Sequence, residues 1–131
     1  MGATMQPNAD TVILAEIGGR LRAIRKAYHL TQADVASALG VDQSLWSKWE
    51  RGQRAPDLLR LMEFAHRANT SIELICFGVL FRTAPELAEA LAELAREDHT
   101  IVFRSETHNF VVDASLRLGA GKKSPSSRRT G

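Results

Sequence analysis

A mainly α-helical fold, five helices in a first unit followed by one more helix and a short β-hairpin, is predicted by three observations on the 131-residue chain. Two short helix signatures lie back to back between Thr31 and Gly52, joined by a single glycine turn. Apolar side chains recur at helical spacing from Ile13 to Tyr28 and again from Leu58 to Ala65. From Thr100 the period changes to β-branched and aromatic triplets, Ile101-Val102-Phe103 and Phe110-Val111-Val112.

Taken in order, residues 1–10 are polar, hold Pro7 and show no period, which predicts a flexible arm. Residues 11–78 read as the helical domain. Ile13, Ile17, Leu21, Ile24 and Tyr28 share one face of a first helix, with Arg20, Arg22, Arg25 and Lys26 expected to point outward. Thr31 is a good N-cap for the second helix, and Asp34 stands where it can return the bond as a capping box, with Leu30 and Val35 as a hydrophobic staple. Val35, Ala36 and Leu39 form its inner face, and Gly40 is the residue expected just past its end. The third helix repeats the plan: Asp42 caps, Val41 and Trp46 staple, and Trp46 with Trp49 face inward. Its other face, Gln43, Ser44, Ser47 and Lys48, is rich in donors and free of acids. Glu50 is expected to hold the turn that follows. Pro56 and Asp57 open a fourth helix with Leu58, Leu61, Met62 and Ala65 inward, and Ser71 caps a short fifth helix through Ile75.

The run from Leu74 to Phe81 is more apolar than a closing helix needs, so something must cover it. Residues 79–118 would supply that cover and a dimerisation element. Thr83-Ala84-Pro85-Glu86 has the capping-box pattern, and Leu87, Leu91 and Leu94 make the helix after it amphipathic, with Glu86, Glu89, Glu93 and Glu97 on its polar side. The two triplets around the turn 105–109 predict the hairpin, which must pack on that helix or on a second copy because an isolated hairpin is marginal in water. Residues 119–131 are Gly, Ser, Pro and base, the composition of a disordered basic tail.

Leu30-Thr31-Gln32, Val35-Ala36, Leu39-Gly40-Val41, Gln43-Ser44, Ser47-Lys48-Trp49-Glu50-Arg51-Gly52 and Pro56 before a leucine-rich helix all stand in one register. That register resembles the lambda-repressor-like, Cro/Xre-type helix-turn-helix DNA-binding family, over about Ile13 to Phe77. The resemblance implies that the first turn of the second motif helix reaches base edges, through Gln43, Ser44, Ser47 and Lys48. Glutamine can pair with adenine and lysine can donate to guanine. It also implies that Gln32 touches a phosphate at a helix N-terminus, and Arg51 and Arg54 are assigned to phosphates where the chain returns toward the backbone. Trp46 departs from the smaller aliphatic residue usual in the family, and a core position is expected for it.

Net charge is only +2, but from Gly18 to Arg54 seven basic side chains stand against three acids, and the tail adds Lys122, Lys123, Arg128 and Arg129. Positive charge therefore gathers at the motif and the tail. No apolar run approaches the ~20 residues of a membrane helix, no secretory signal opens the chain, and the lone Cys76 suits a reducing compartment, so a cytoplasmic protein is expected. His29, His66, His99 and His108 are too scattered for a metal pair, and no nucleophile stands with a base and orienter, so neither metal, cofactor nor enzyme activity is expected. Cys76, among apolar neighbours, reads as core.

The expected function is sequence-specific transcriptional regulation, as a repressor, by a homodimer on a pseudo-palindromic operator in double-stranded DNA. Two alternatives stay open: an antitoxin whose C-terminal half binds a toxin, and a protein-interaction module that keeps the fold without specific DNA binding.

Overall fold

The computed structural model describes residues 8–104. Six helices follow one another: α1 (Ala9–Ala27), α2 (Gln32–Leu39), α3 (Gln43–Glu50), α4 (Leu58–Arg67), α5 (Ile72–Phe77) and α6 (Pro85–Glu97). α1 begins inside the segment expected to be an arm. Asn8 caps it, its Oδ1 accepting from the Thr11 amide at 2.8 Å, and Asp10 in the first turn with Arg25 and Lys26 in the last complements the helix dipole. The other expected arm residues, 1–7, and the tail 119–131 lie outside the described residues.

The Thr31–Asp34 capping box forms in both directions, at 3.0 and 2.8 Å, and α2 stops at a left-handed Gly40. The bonds from Thr31 hold the Asp34 carboxyl below its ordinary value. Asp42 occupies the N-cap of α3 but makes no side-chain cap bond. The box expected at Thr83 is also absent: Ala84 is the N-cap, Pro85 supplies the preformed first turn, and the Thr83 hydroxyl lies 2.7 Å from that of Thr70. Asp57 and Ser71 cap α4 and α5, and α5 runs on past Ile75 to end at Gly78.

The core joins both halves of the chain. Leu21, Ile24, Trp46, Leu74, Ile75 and Leu91 are wholly buried, and the Trp46 ring meets Trp49 and Phe64 edge to face with centroids 5.7 and 5.0 Å away. α1 is central, lying against α3, α5 and α6. Leu87 and Leu91 of α6 are buried, so the leucine face expected to want cover finds it within the chain.

Three further outcomes differ from the sequence expectation. Arg20 points inward and is 1% exposed: its Nε donates to the Val102 carbonyl at 2.7 Å, Nη1 to that of Ile75 at 3.0 Å, and Nη2 to Glu16. On α4, Leu61, Phe64 and Ala65 are the buried face, whereas Leu58 and Met62 are exposed, because this helix carries two overlapping apolar stripes and only one meets the core. Ile101–Phe103 form no strand. Ile101 inserts into the core, and the Arg104 amide donates to the Gly78 carbonyl at 2.7 Å, making an isolated parallel bridge between Val79 and Arg104. Burial against the helices satisfies this segment, so it needs no antiparallel partner; Phe110–Val112 and the turn 105–109 lie outside the described residues.

Polar contacts fasten this last segment to α1. Arg104 pairs with Glu16 at 2.9 Å, and Arg22 bonds Thr100 at 3.0 Å and Asp98 at 3.3 Å. The Asp98 carboxyl is held down to about 2, first by the Thr100 hydroxyl and amide and then by Arg22.

Gly18 sets how closely α1 approaches α3. A Cβ there would lie 2.5 Å from the Trp49 carbonyl oxygen and nearer still to that of Glu50, both backbone atoms that cannot rotate away. Gly18→Ala should therefore force the two helices apart and cost about 1–3 kcal/mol in urea unfolding. An unchanged midpoint would mean that this approach carries no stability.

Candidate nucleic-acid interface

α3 is fixed from behind, and its front is left to solvent. Trp46, Trp49 and Glu50 are buried on one side, while Gln43, Ser44 and Lys48 are exposed on the other and Ser47 is half-buried between them. Spacings of three and four residues bring these four polar side chains onto one face.

Glu50 is the hub of the arrangement. It is 3% exposed and accepts from Arg25 Nε at 2.6 Å, Arg25 Nη2 at 2.9 Å, Gln32 Nε2 at 2.9 Å and Trp46 Nε1 at 2.5 Å. One carboxylate thus ties α1, α2 and α3 together. Burial pushes its pKa up, but the bonds from Arg25, Gln32 and Trp46 and the Arg25 charge outweigh that and hold it below the ordinary carboxylate range. Gln32 spends one amide N–H on Glu50 and keeps a second at the N-terminus of α2.

The exit from α3 is equally defined. The Gly52 amide bonds the Trp49 carbonyl at 3.1 Å and the Gln53 amide that of Lys48 at 2.9 Å, a Schellman closure around Gly52 at φ +70. A Cβ at Gly52 would also meet the α1 backbone at Ala15, 2.9 Å away, so glycine is required twice over. Beyond it Arg51 and Arg54 are exposed and, with Lys48, make no ion pair among the described residues.

Two helices held by a shared carboxylate and joined by the turn at Gly40 are the geometry that the motif residues imply. A family model described as Helix-turn-helix matches residues 21–75. This segment is a lambda-repressor-like, Cro/C1-type helix-turn-helix domain. No curated protein and no solved structure matches the chain. The helix-turn-helix is a DNA-binding module of the kind found in transcriptional regulators.

Within the helix-turn-helix, the base-reading candidates Gln43, Ser44, Ser47 and Lys48 come together on α3, with Gln32 at the adjoining start of α2 and Arg51 and Arg54 in the connection after α3. The charge excess of this region is smaller at the surface than its sequence implies, since Arg20 and Arg25 are spent on internal bonds and Arg22 on Asp98. The sequence reading missed Arg25 as the partner of Glu50 and placed Arg20 on the outward face, where the structure buries it. For Arg20 a signal was present: it stands three residues after Ile17 and four before Ile24, on the apolar stripe itself. Among the described residues, no cluster of His, Cys, Asp and Glu could hold a metal, and no helix is long and apolar enough to cross a membrane. Cys76 is half-buried, and burial pushes its thiol up.

Proposed function

We propose that the protein is a sequence-specific transcriptional regulator that lays α3 in the major groove. The observation that carries this reading is the exposed, acid-free face of Gln43, Ser44 and Lys48 on a helix locked from behind by Trp46, Trp49 and Glu50. Gln43, Ser44, Ser47 and Lys48 read base edges in this scheme, while Gln32, Arg51 and Arg54 fix the register on phosphates. Gln32 suits that task because Glu50 orients its amide and leaves an N–H free at a helix N-terminus. A two-fold pair of chains would read half-sites about 34 Å apart, and repression follows where the operator overlaps a promoter. The antitoxin reading gains no support from α6, whose Leu87 and Leu91 are already buried.

Selection from random DNA with the full chain at near-physiological salt tests this. An enriched inverted repeat is expected; binding that shows no sequence preference and vanishes as salt rises would reject it. On the selected site, Gln43→Ala should cost about 1–3 kcal/mol and relax the preference at one base pair per half-site. An equal loss on every sequence would remove Gln43 from base reading.

A further inference from the structure

We propose that the cavity between α2, α4 and the end of α1 is an effector site for a small aromatic carboxylate, whose binding tightens the grip of the helix-turn-helix on DNA. The regulatory half of this rests on the DNA-binding reading above; the binding half does not. The cavity has a volume of about 320 Å³, at the lower end of the range of small-molecule sites, about 300–1,000 Å³. An apolar cavity of about 150 Å³ already takes benzene, so this one has room for a single ring with a short acidic arm. Its floor is Val35 and Leu39 of α2 with Phe64 of α4, all apolar and buried. Tyr28, the cap of α1, closes one wall, its hydroxyl donating to the Ala68 carbonyl at 2.6 Å. Leu30 and Ala38 flank the mouth and are exposed.

The charges around the cavity select an anion. Arg67 stands at the rim, 3.2 Å from Glu63 but making no hydrogen bond among the described residues. Glu63 is also held by Arg60 at 2.8 Å, so one carboxylate serves two guanidinium groups and the trio keeps a net positive charge. The planar fork of Arg67 can therefore meet a carboxylate with two parallel bonds. The other charges of the lining are spent: Asp34, its one acid, accepts from the Thr31 amide at 2.8 Å, and Arg25 is bonded to Glu50. Arg25 also joins the cavity to the motif, because the Glu50 carboxylate that it clamps is the one that holds Gln32. None of the side chains assigned to DNA lines the cavity, so a ligand there does not compete with the duplex. A ligand lying across Val35, Leu39 and Phe64 ties α2 to α4 and favours the arrangement in which Glu50 orients Gln32. DNA favours the same arrangement, so each strengthens the binding of the other.

The probes are phenylacetate and its neutral counterpart phenylacetamide, titrated into the full-length protein and followed by backbone amide NMR. Phenylacetate should bind saturably, with a Kd of about 1 mM or tighter. The amides of Val35, Leu39 and Phe64 should shift, and phenylacetamide should bind more weakly at the same place. Arg67→Gln should weaken phenylacetate by about 5–10-fold, the loss of one exposed charge-assisted contact, and leave phenylacetamide unchanged. Ala38→Phe sets a ring in the mouth and should abolish binding of both probes. Both substitutions fall on exposed positions, and thermal melting monitored by circular dichroism checks that each variant remains folded. No saturable shift with phenylacetate, or binding that persists in folded Ala38→Phe, would overturn the site. On DNA selected by the wild type from a random library, saturating phenylacetate should raise affinity by about 5-fold or more. Unchanged or weakened affinity would overturn the effector role. Saturable binding by a protein that selects no DNA sequence would leave the site standing and reject the reading of α3 instead.

Discussion

Glu50→Ala should remove about 3–5 kcal/mol of stability, the expected cost of deleting one partner from a buried charged network. Against a total of about 5–15 kcal/mol for a typical domain, that leaves the variant near the edge of folding. Arg25 would keep its guanidinium half-buried with only the Leu30 carbonyl at 3.0 Å, and the Trp46 indole N–H would be sealed in the core without an acceptor. Gln32 would lose the group that orients it. DNA affinity should therefore fall even at temperatures where the variant remains folded, because the carboxylate joins the two motif helices to α1. Urea unfolding measures the first effect; a loss below about 1 kcal/mol would mean that water replaces the missing oxygens.

The same network gives a pH dependence of known sign. The folded-state pKa of Glu50 lies below its ordinary value. Its contribution is thus complete above the unfolded-state value of about 4.3, and it is lost as pH falls through the folded-state value. Asp34 and Asp98 act in the same direction, so the informative comparison is between the wild type and Glu50→Gln. The wild type should lose stability more steeply below about pH 5. Parallel acid profiles would mean that folding does not shift the pKa of Glu50.

What could be read from the sequence was what short-range chemistry decides. The Thr31–Asp34 box, the left-handed Gly40 and the inward pair Trp46 and Trp49 each involve residues a few positions apart, and each formed. The helix-turn-helix followed from their register. The partners of Glu50 could not be read in this way, since Arg25 and Gln32 approach it only when three helices meet. The phase of α4 was ambiguous for a different reason: Leu58, Leu61 and Met62 fit helical spacing as well as Leu61, Phe64 and Ala65 do, and only the position of the core chooses between them. The triplet Ile101–Phe103 has strand composition, but its apolar side chains and backbone are satisfied by α1 and the end of α5. Of the site, the exposed face of α3 and the tryptophans behind it were legible, and the bonds from Arg25 and Gln32 to Glu50 were not.

Arg20→Met should cost about 2–4 kcal/mol and should act apart from the Glu50 network, with which Arg20 shares no bond. Methionine fills a similar volume but supplies no donors, so the carbonyls of Val102 and Ile75 would each lose a bond at about 1–3 kcal/mol apiece. Part of that is offset because the guanidinium no longer has to be desolvated, the burial that already lowers its pKa. The loss should be local. With the Val102 bond gone, residues 98–104 keep Ile101, the Arg22 contacts, the Glu16–Arg104 pair and the Arg104 amide bond to the Gly78 carbonyl, so trypsin should cut after Arg96 and Arg104 sooner than in the wild type. Protection of α3 should persist, since Glu50, Arg25 and Trp46 are untouched. DNA binding at low temperature should then survive Arg20→Met and not Glu50→Ala, separating the element that fastens the C-terminal segment from the one that aims the recognition helix. Equal trypsin rates in variant and wild type would show that the contacts left after the Arg20 bonds are removed hold the segment by themselves.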